Sequence, residues 1–169
     1  MTTLTTERLV LRPLVAEDLD ALASFYGDLE VMRYVGGGRA LTREETSASL
    51  ERMMGNFARA GYGQWAVVEQ ATGTFVGRAG ILEWPDLGTS GEMEIGYLLG
   101  RPHWGRGYAT EAALASRDHA LDTLGWRRLI SLIDHDNERS ARVATRLGMT
   151  HEDDVELFGR MVRRFSLER

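Results

Sequence analysis

The segment Trp104-Gly105-Arg106-Gly107-Tyr108-Ala109-Thr110-Glu111-Ala112 constrains the fold of this chain most. Two glycines flank an arginine, and Thr110-Glu111 opens a helical pattern from Ala112 to Leu124. Just upstream, Glu92 to Leu99 reads as a strand. Strand, tight glycine turn and helix, in that order, point the helix's unpaired N–H groups at whatever fills the turn. Those donors and the helix dipole favour an anion, above all a phosphate. The first expectation is a bound phosphorylated cofactor.

A chain of 169 residues with 43% apolar content is expected to form one globular domain over residues 1–169, burying roughly 70% of its unfolded surface. No apolar run approaches the ~18 residues of a membrane span, and the polar Met1–Thr6 start does not read as a signal peptide. There is no cysteine, which removes disulfides, thiolate catalysis and cysteine zinc sites. These features fit a cytoplasmic protein with no membrane partner. A net charge of −5 argues against nucleic acid, whose binders carry a basic face; an acidic protein attracts cations instead. All 20 basic residues are arginine, which we read as coding bias of a GC-rich genome. A P-loop requires its lysine, so that nucleotide site is excluded. Histidines fall at 103, 119, 135 and 151 without repeated flanks; the regular spacing is chance, and no metal site is expected.

Periodicity and caps divide the chain. Thr6 to Leu14 reads as a strand stopped near Pro13, Ala16 to Phe25 as a helix, and Val35 to Arg39 as a glycine loop. Thr42 and Glu45 form a capping box for a helix through Ala60. Gln64–Gln70 and Thr74–Leu82 are strands around the Ala71-Thr72-Gly73 hairpin signal. Trp84 to Gly91 is a loop. In Glu92–Leu99, alternation puts Met93, Ile95, Tyr97 and Leu99 on one face, and Glu92, Glu94, Gly96 and Leu98 on the other. Arg128–Ile133 is a strand, Asp136 or Asn137 caps a helix ended by Gly148, and the strands Thr150–Leu157 and Arg160–Leu167 meet at Gly159. The order β-α-α-β-β-β-α-β-α-β-β is that of a mixed α/β or α+β fold.

The glycine turn alone is a weak signal. Thr110 stands where a dinucleotide fingerprint needs its third glycine, so that reading scores low. The surrounding residues are more specific. Glu94-Ile95-Gly96-Tyr97-Leu98-Leu99 through Trp104–Ala112 resembles motif A of the GNAT acetyltransferases. Thr6-Glu7-Arg8-Leu9-Val10-Leu11-Arg12-Pro13-Leu14, followed by Asp18 and Ala21-Leu22, resembles the opening of the RimJ/RimL-type branch. Gly77, within Phe75–Gly80, resembles that fold's third strand. Asn137-x-x-Ser140, ending in Arg146-Leu147-Gly148-Met149, resembles the family's Asn-x-x-Ser helix and its Leu-Gly-Phe close. Trp104 replaces the usual first residue of the turn signature, a change common in that branch.

The resemblance implies a GNAT fold: a central, mostly antiparallel mixed sheet with flanking helices, and two splayed parallel strands forming an acetyl-CoA cleft. It implies that backbone amides of Gly105, Arg106, Gly107, Tyr108 and Ala109, with the Thr110 hydroxyl, hold the pyrophosphate of acetyl-CoA; Arg106 adds charge, as would Arg101. Pantetheine would lie along the backbone near Leu98 and Leu99, with Asn137 binding it or capping the helix. An N–H near Leu98 would stabilise the oxyanion.

By the same resemblance, acetyl passes directly to an amine, which must be neutral. Deprotonation costs about 4 kcal/mol at pH 7 for an alkylamine of pKa ~10 and ~1 for an α-amine near 8. Glu94 is the leading general base, directly or through water, with Glu92 and then Glu83 behind it. Ser140 would hydrogen-bond the departing sulfur or cap its helix. His135 is read as exposed. Tyr34, the Gly36–Gly38 loop, Trp84 and the acidic run His151-Glu152-Asp153-Asp154 are candidates for the acceptor side. The branch favours a protein N-terminus, as on a ribosomal protein; aminoglycosides, amino acids and polyamines are the alternative acceptors. An acyl-CoA-binding sensor without turnover is the rival of another class. The family also includes homodimers.

Overall fold

The computed structural model describes residues 2–87 and 91–169. Its strands are β1 (Leu4–Thr5), β2 (Leu9–Pro13), β3 (Gln64–Glu69), β4 (Phe75–Trp84), β5 (Glu92–Leu99), β6 (Arg128–Asp134), β7 (Thr150–Leu157) and β8 (Arg160–Glu168). They form one sheet in the order β1-β2-β3-β4-β5-β6-β8-β7. Each neighbouring pair is antiparallel except β5 and β6, which run parallel. The helices are α1 (Leu19–Tyr26), α2 (Leu29–Met32), α3 (Arg43–Ala60), α4 (Tyr108–Asp118) and α5 (Glu138–Arg146). This is the mixed, mostly antiparallel sheet with flanking helices that the resemblance implied.

Period-2 alternation buries both faces of the sheet. Trp65 and Val67 of β3 join Ile95 and Leu99 of β5 beneath α4 and α5, whereas Ala66 and Leu98 join Leu22, Tyr26 and Leu50 beneath α1 to α3. Each fully buried large apolar side chain contributes about 1.5–3 kcal/mol, so the two layers of core hold the sheet between them. The expected division of β5 is observed: Met93, Ile95, Tyr97 and Leu99 share one cluster, and Leu98 belongs to the other.

Several boundaries differ from the sequence reading. The first helix begins as a 3-10 turn, Ala16–Asp18, before α1. Helix α2 was not expected; its four residues are too few to show a period. The helix expected over Ala112–Leu124 begins at Tyr108, and its last part, His119–Thr123, widens into π-helical winding. Strand β4 continues to Trp84, so the expected Trp84–Gly91 loop is shorter; its residues Gly88, Thr89 and Ser90 lie outside the described residues, as does Met1. The run His151–Asp154 lies within β7, whose bounds are those of the expected strand Thr150–Leu157. Asn137, not Asp136, caps α5 through the Ser140 N–H at 3.2 Å. Among the described residues no helix is long and apolar enough to cross a membrane.

Gly77 sets the approach of β4 to β5. A Cβ there would stand 2.2 Å from the Leu98 carbonyl oxygen and 2.7 Å from the Leu99 Cα. Both are backbone atoms and cannot rotate aside, so one strand must shift. Gly77→Ala is expected to destabilise the protein by about 3 kcal/mol, read by urea denaturation. Gly55, inside α3 with nothing within 4 Å of its built Cβ, should behave oppositely: Gly55→Ala is expected to stabilise by roughly 0.5–1 kcal/mol. Equal midpoints for the two variants would refute this account of Gly77.

Candidate active site

The parallel ladder between β5 and β6 has one register pair, Glu94 with Ile130. Two side chains end it. Continued by two residues, the ladder would bring the Leu132 N–H to the Ile95 carbonyl. Instead the Leu132 N–H donates to Glu94 Oε1 at 3.1 Å, and the Ser131 hydroxyl donates to the Ile95 carbonyl at 2.8 Å. The strands therefore part beyond this point. The other Glu94 oxygen accepts the Trp84 indole N–H at 2.7 Å. Glu94 is 7% exposed, and burial pushes its carboxyl above the usual range despite these donors.

Backbone direction in the gap follows from the other edge of β5. The Gly100 N–H reaches the Val76 carbonyl at 3.0 Å, and Leu98 pairs with Arg78 of β4. Leu98 thus turns its backbone groups toward β4, while those of Tyr97 and Leu99 face the gap. Of the two residues expected to offer backbone to pantetheine, Leu99 therefore presents it to the gap and Leu98 does not; Tyr97 faces the gap as well. The Leu98 side chain still lines the cleft.

That cleft, about 1390 Å³, lies at the end of β5 and is lined from both faces of the sheet. Tyr97 and Leu98 point to opposite faces, yet both line it. On one face it continues along α4 and α5; on the other it reaches Val31, Tyr34 and Val35.

The glycine turn sits at the cleft on the α4 side. Gly105 and Gly107 have φ of +74° and +82°, a left-handed conformation in which a side chain is strained. The first ladder bond of α4 runs from the Glu111 N–H to the Gly107 carbonyl at 3.0 Å. The N–H groups of Tyr108, Ala109 and Thr110 lie ahead of it, outside the ladder. A Cβ built on Gly105 meets nothing within 4 Å, and one on Gly107 would meet the Arg8 guanidinium at 3.3 Å, so the turn is open at its first glycine and bounded by Arg8 at its second. Two left-handed glycines, open space and a helix start fit a pyrophosphate group.

The amino-terminal segment braces this turn, a role missed in the sequence reading. Arg8 donates from its backbone N–H and Nε to the Glu111 carboxylate, at 2.8 and 2.7 Å, and from Nη1 to the Arg106 carbonyl at 2.9 Å. The Thr6 hydroxyl donates to the same carboxylate at 2.6 Å. The Arg8 guanidinium lies 4.8 Å from the centroid of the Tyr108 ring, and the Tyr108 hydroxyl donates to Glu69. At the end of β5, the Trp104 indole donates to the Leu99 carbonyl at 2.8 Å, and Arg139 lies 5.1 Å from the centroid of its ring.

The remaining expected residues are distributed as follows. Ser140 and Asn137 both line the cleft. The Asn137 Oδ1 is committed to capping, and the Ser140 carbonyl accepts the Tyr97 hydroxyl at 3.0 Å. Tyr97, a cleft residue not singled out before, has its phenol pushed up by burial. Arg106 lies 3.7 Å from Glu69, and Arg101 pairs with Asp28 at 3.1 Å. Glu92 is held by Arg128 and Arg164 at 3.0 and 3.3 Å, and Glu83 accepts the Tyr62 hydroxyl at 2.6 Å; neither lines the cleft. Glu94 lies behind the cleft wall and not on its surface. The Gly36 carbonyl accepts Arg160 at 3.1 Å. His135 and His151, read as unrelated, share Asp154 at 3.1 and 2.9 Å.

Residues 8–150 match the acetyltransferase (GNAT) domain family. The uncharacterized protein YkkB of Bacillus subtilis is 32% identical over 166 residues, covering 95% of this chain and 92% of that protein. An acetyltransferase from Agrobacterium tumefaciens superposes with a TM-score of 0.84 at 32% identity, covering 100% and 95% of the two chains. RimL, a ribosomal L7/L12 alpha-N-protein acetyltransferase solved with coenzyme A, shares the fold with a TM-score of 0.79 at 18% identity, over 99% and 98%. A gapped parallel strand pair, an open phosphate cradle and a match across most of the chain lead to one assignment: this protein belongs to the GNAT family of acetyl-CoA-dependent N-acetyltransferases.

Proposed function

We propose that residues 1–169 form a single catalytic domain of the RimJ/RimL type that acetylates a protein N-terminal α-amine. One observation carries the catalytic part of this reading: at the end of β5, where the ladder with β6 has stopped, the cleft is lined from both faces of the sheet. Donor and acceptor can then approach from opposite faces and meet in the gap. The likeness in fold to RimL supports the choice of acceptor.

Acetyl-CoA supplies an acetyl group activated as a thioester. The chain's own groups do the rest. The amides of Gly105, Arg106, Gly107, Tyr108 and Ala109, with the Thr110 hydroxyl, hold the pyrophosphate; backbone groups of Tyr97 and Leu99 align the pantetheine arm, against the side chain of Leu98. The Asn137 amide nitrogen faces the same arm. A gap-facing N–H of β5 hydrogen-bonds the carbonyl oxygen as charge develops on it. Glu94 accepts the amine proton through water, because it lies behind the cleft wall. Each of its oxygens keeps a second lone pair beside the Trp84 and Leu132 donors. The Ser140 hydroxyl donates to the sulfur as it leaves.

Three measurements test these roles. Among amines offered with acetyl-CoA, thiol release is expected to be fastest with peptides bearing a free N-terminus. Faster release with polyamines, amino acids or aminoglycosides would reassign the acceptor, and no release with any amine would make the protein an acyl-CoA sensor.

The second concerns pH. A buried carboxylate whose pKa is raised stays protonated to a higher pH, so kcat should climb as pH rises through that raised value. This limb should keep its position when an alkylamine replaces the α-amine, and vanish in Glu94→Gln along with roughly 100-fold of kcat. A limb that persists in Glu94→Gln would leave Glu94 as a latch between strands and nothing more.

Finally, Ser140→Ala should lower kcat by roughly tenfold or more, the loss of one hydrogen bond to a charged group, with an unchanged urea midpoint. An unchanged kcat would remove Ser140 from the reaction.

A further inference from the structure

Helix α5 turns three arginines, Arg139, Arg142 and Arg146, toward the cleft. Their spacing of three and four residues places them along one side of the helix. All three are exposed, and among the described residues no carboxylate lies within 4.0 Å of any of them. The arginines around the glycine turn differ: Arg8, Arg101 and Arg106 each have an acidic partner in Glu111, Asp28 and Glu69. Like charges at helical spacing repel one another. Arg146 lies in the last turn, where the helix dipole favours a cation, but Arg142 lies mid-helix and gains nothing from it. In a chain of net charge −5, an uncompensated basic row on a cleft wall is the feature to explain.

We propose that this row binds a phosphomonoester, the 3′-phosphate on the ribose of coenzyme A; the inference rests on reading the cleft as the acetyl-CoA site. Coenzyme A carries two separate anionic groups. On that reading the amides of the glycine turn serve the pyrophosphate, and the second group calls for donors of its own. Guanidinium groups match the oxygens of a phosphate dianion in bidentate geometry. Asp136 and Glu138 line the cleft at the amino-terminal end of α5, and Glu138 is already paired with Arg163 at 3.1 Å. Repulsion from these carboxylates puts the phosphate toward Arg142 and Arg146, leaving Arg139 over the Trp104 ring.

The test is calorimetric binding of coenzyme A and of 3′-dephospho-coenzyme A, without turnover. The wild-type protein is expected to prefer coenzyme A by roughly tenfold or more, and the preference should shrink as salt is raised. In Arg142→Gln/Arg146→Gln the preference should contract toward unity while affinity for the dephospho form stays the same, which also reports an intact cleft. Equal wild-type affinities for the two compounds would overturn the proposal without touching the acetyltransferase reading. So would a preference that survives the double substitution. Failure of both compounds to bind the wild type would sink the cleft reading and the proposal together. A loss confined to affinity for an acidic acceptor peptide would assign the row to the acceptor and overturn the 3′-phosphate site.

Discussion

The acceptance of the Leu132 N–H by the Glu94 carboxylate is the interaction on which the rest of the site depends. A parallel pair left to itself continues its ladder, because each unpaired buried N–H or C=O costs about 1–3 kcal/mol. Ending it requires substitutes for the lost partners. Glu94 supplies one for Leu132, Ser131 one for the Ile95 carbonyl, and the Trp104 indole one for the Leu99 carbonyl. With those groups satisfied, β5 and β6 separate, and the cleft at the end of β5 is lined from both faces of the sheet. Burying a carboxylate opposes this arrangement, and desolvation raises its pKa. The same shift brings the group nearer to the basicity that proton transfer from an amine requires.

The phosphate cradle is held from outside its own element. A turn with two left-handed glycines is intrinsically free to take other conformations. Here its position is set by Arg8, which binds Glu111 on one side and the Arg106 carbonyl on the other. Glu111 lies in the first turn of α4, where a carboxylate is favoured by the helix dipole. The brace thus anchors the segment before β2 to the helix start. Trp104 ties the end of β5 to the same turn and carries Arg139 on its ring, so both walls of the cleft meet at one side chain.

Much of this was legible in the sequence, and the parts that were not share a cause. Helical and strand periods located the long elements, the Thr42–Glu45 capping box was found as read, and the side-chain faces of β5 were assigned correctly. Those signals are local. The pairs that shape the site span 38 residues for Glu94 with Leu132, and 103 for Arg8 with Glu111. No period or cap reports such contacts. Leu98 illustrates the distinction: alternation gives the face of a side chain, but the edge toward which its backbone turns follows from the bond of the Gly100 N–H to the Val76 carbonyl, 24 residues away. Helix α2 escaped because four residues hold barely one turn. The row Arg139, Arg142 and Arg146 had a visible helical spacing, yet its meaning depends on which side of α5 meets the cleft.

The interrupted ladder also accounts for why an elongated ligand suits this gap better than a compact one. Beyond the Glu94–Ile130 pair, the gap-facing backbone of Tyr97 and Leu99 has no register partner across the gap. Such an edge, set between two strands and away from the rim of the sheet, accepts an extended chain with amide groups as a strand would be accepted. Its two ends differ: the glycine turn and the row of three arginines lie toward α4 and α5, whereas Leu98, Val31 and Val35 line the opposite face beside one acid and one base, Glu30 and Arg33. A molecule with an amide-bearing arm and phosphates at one end only can enter in one orientation. On the proposed reading, that orientation brings the reactive end to the side of the cleft that Ser140 lines.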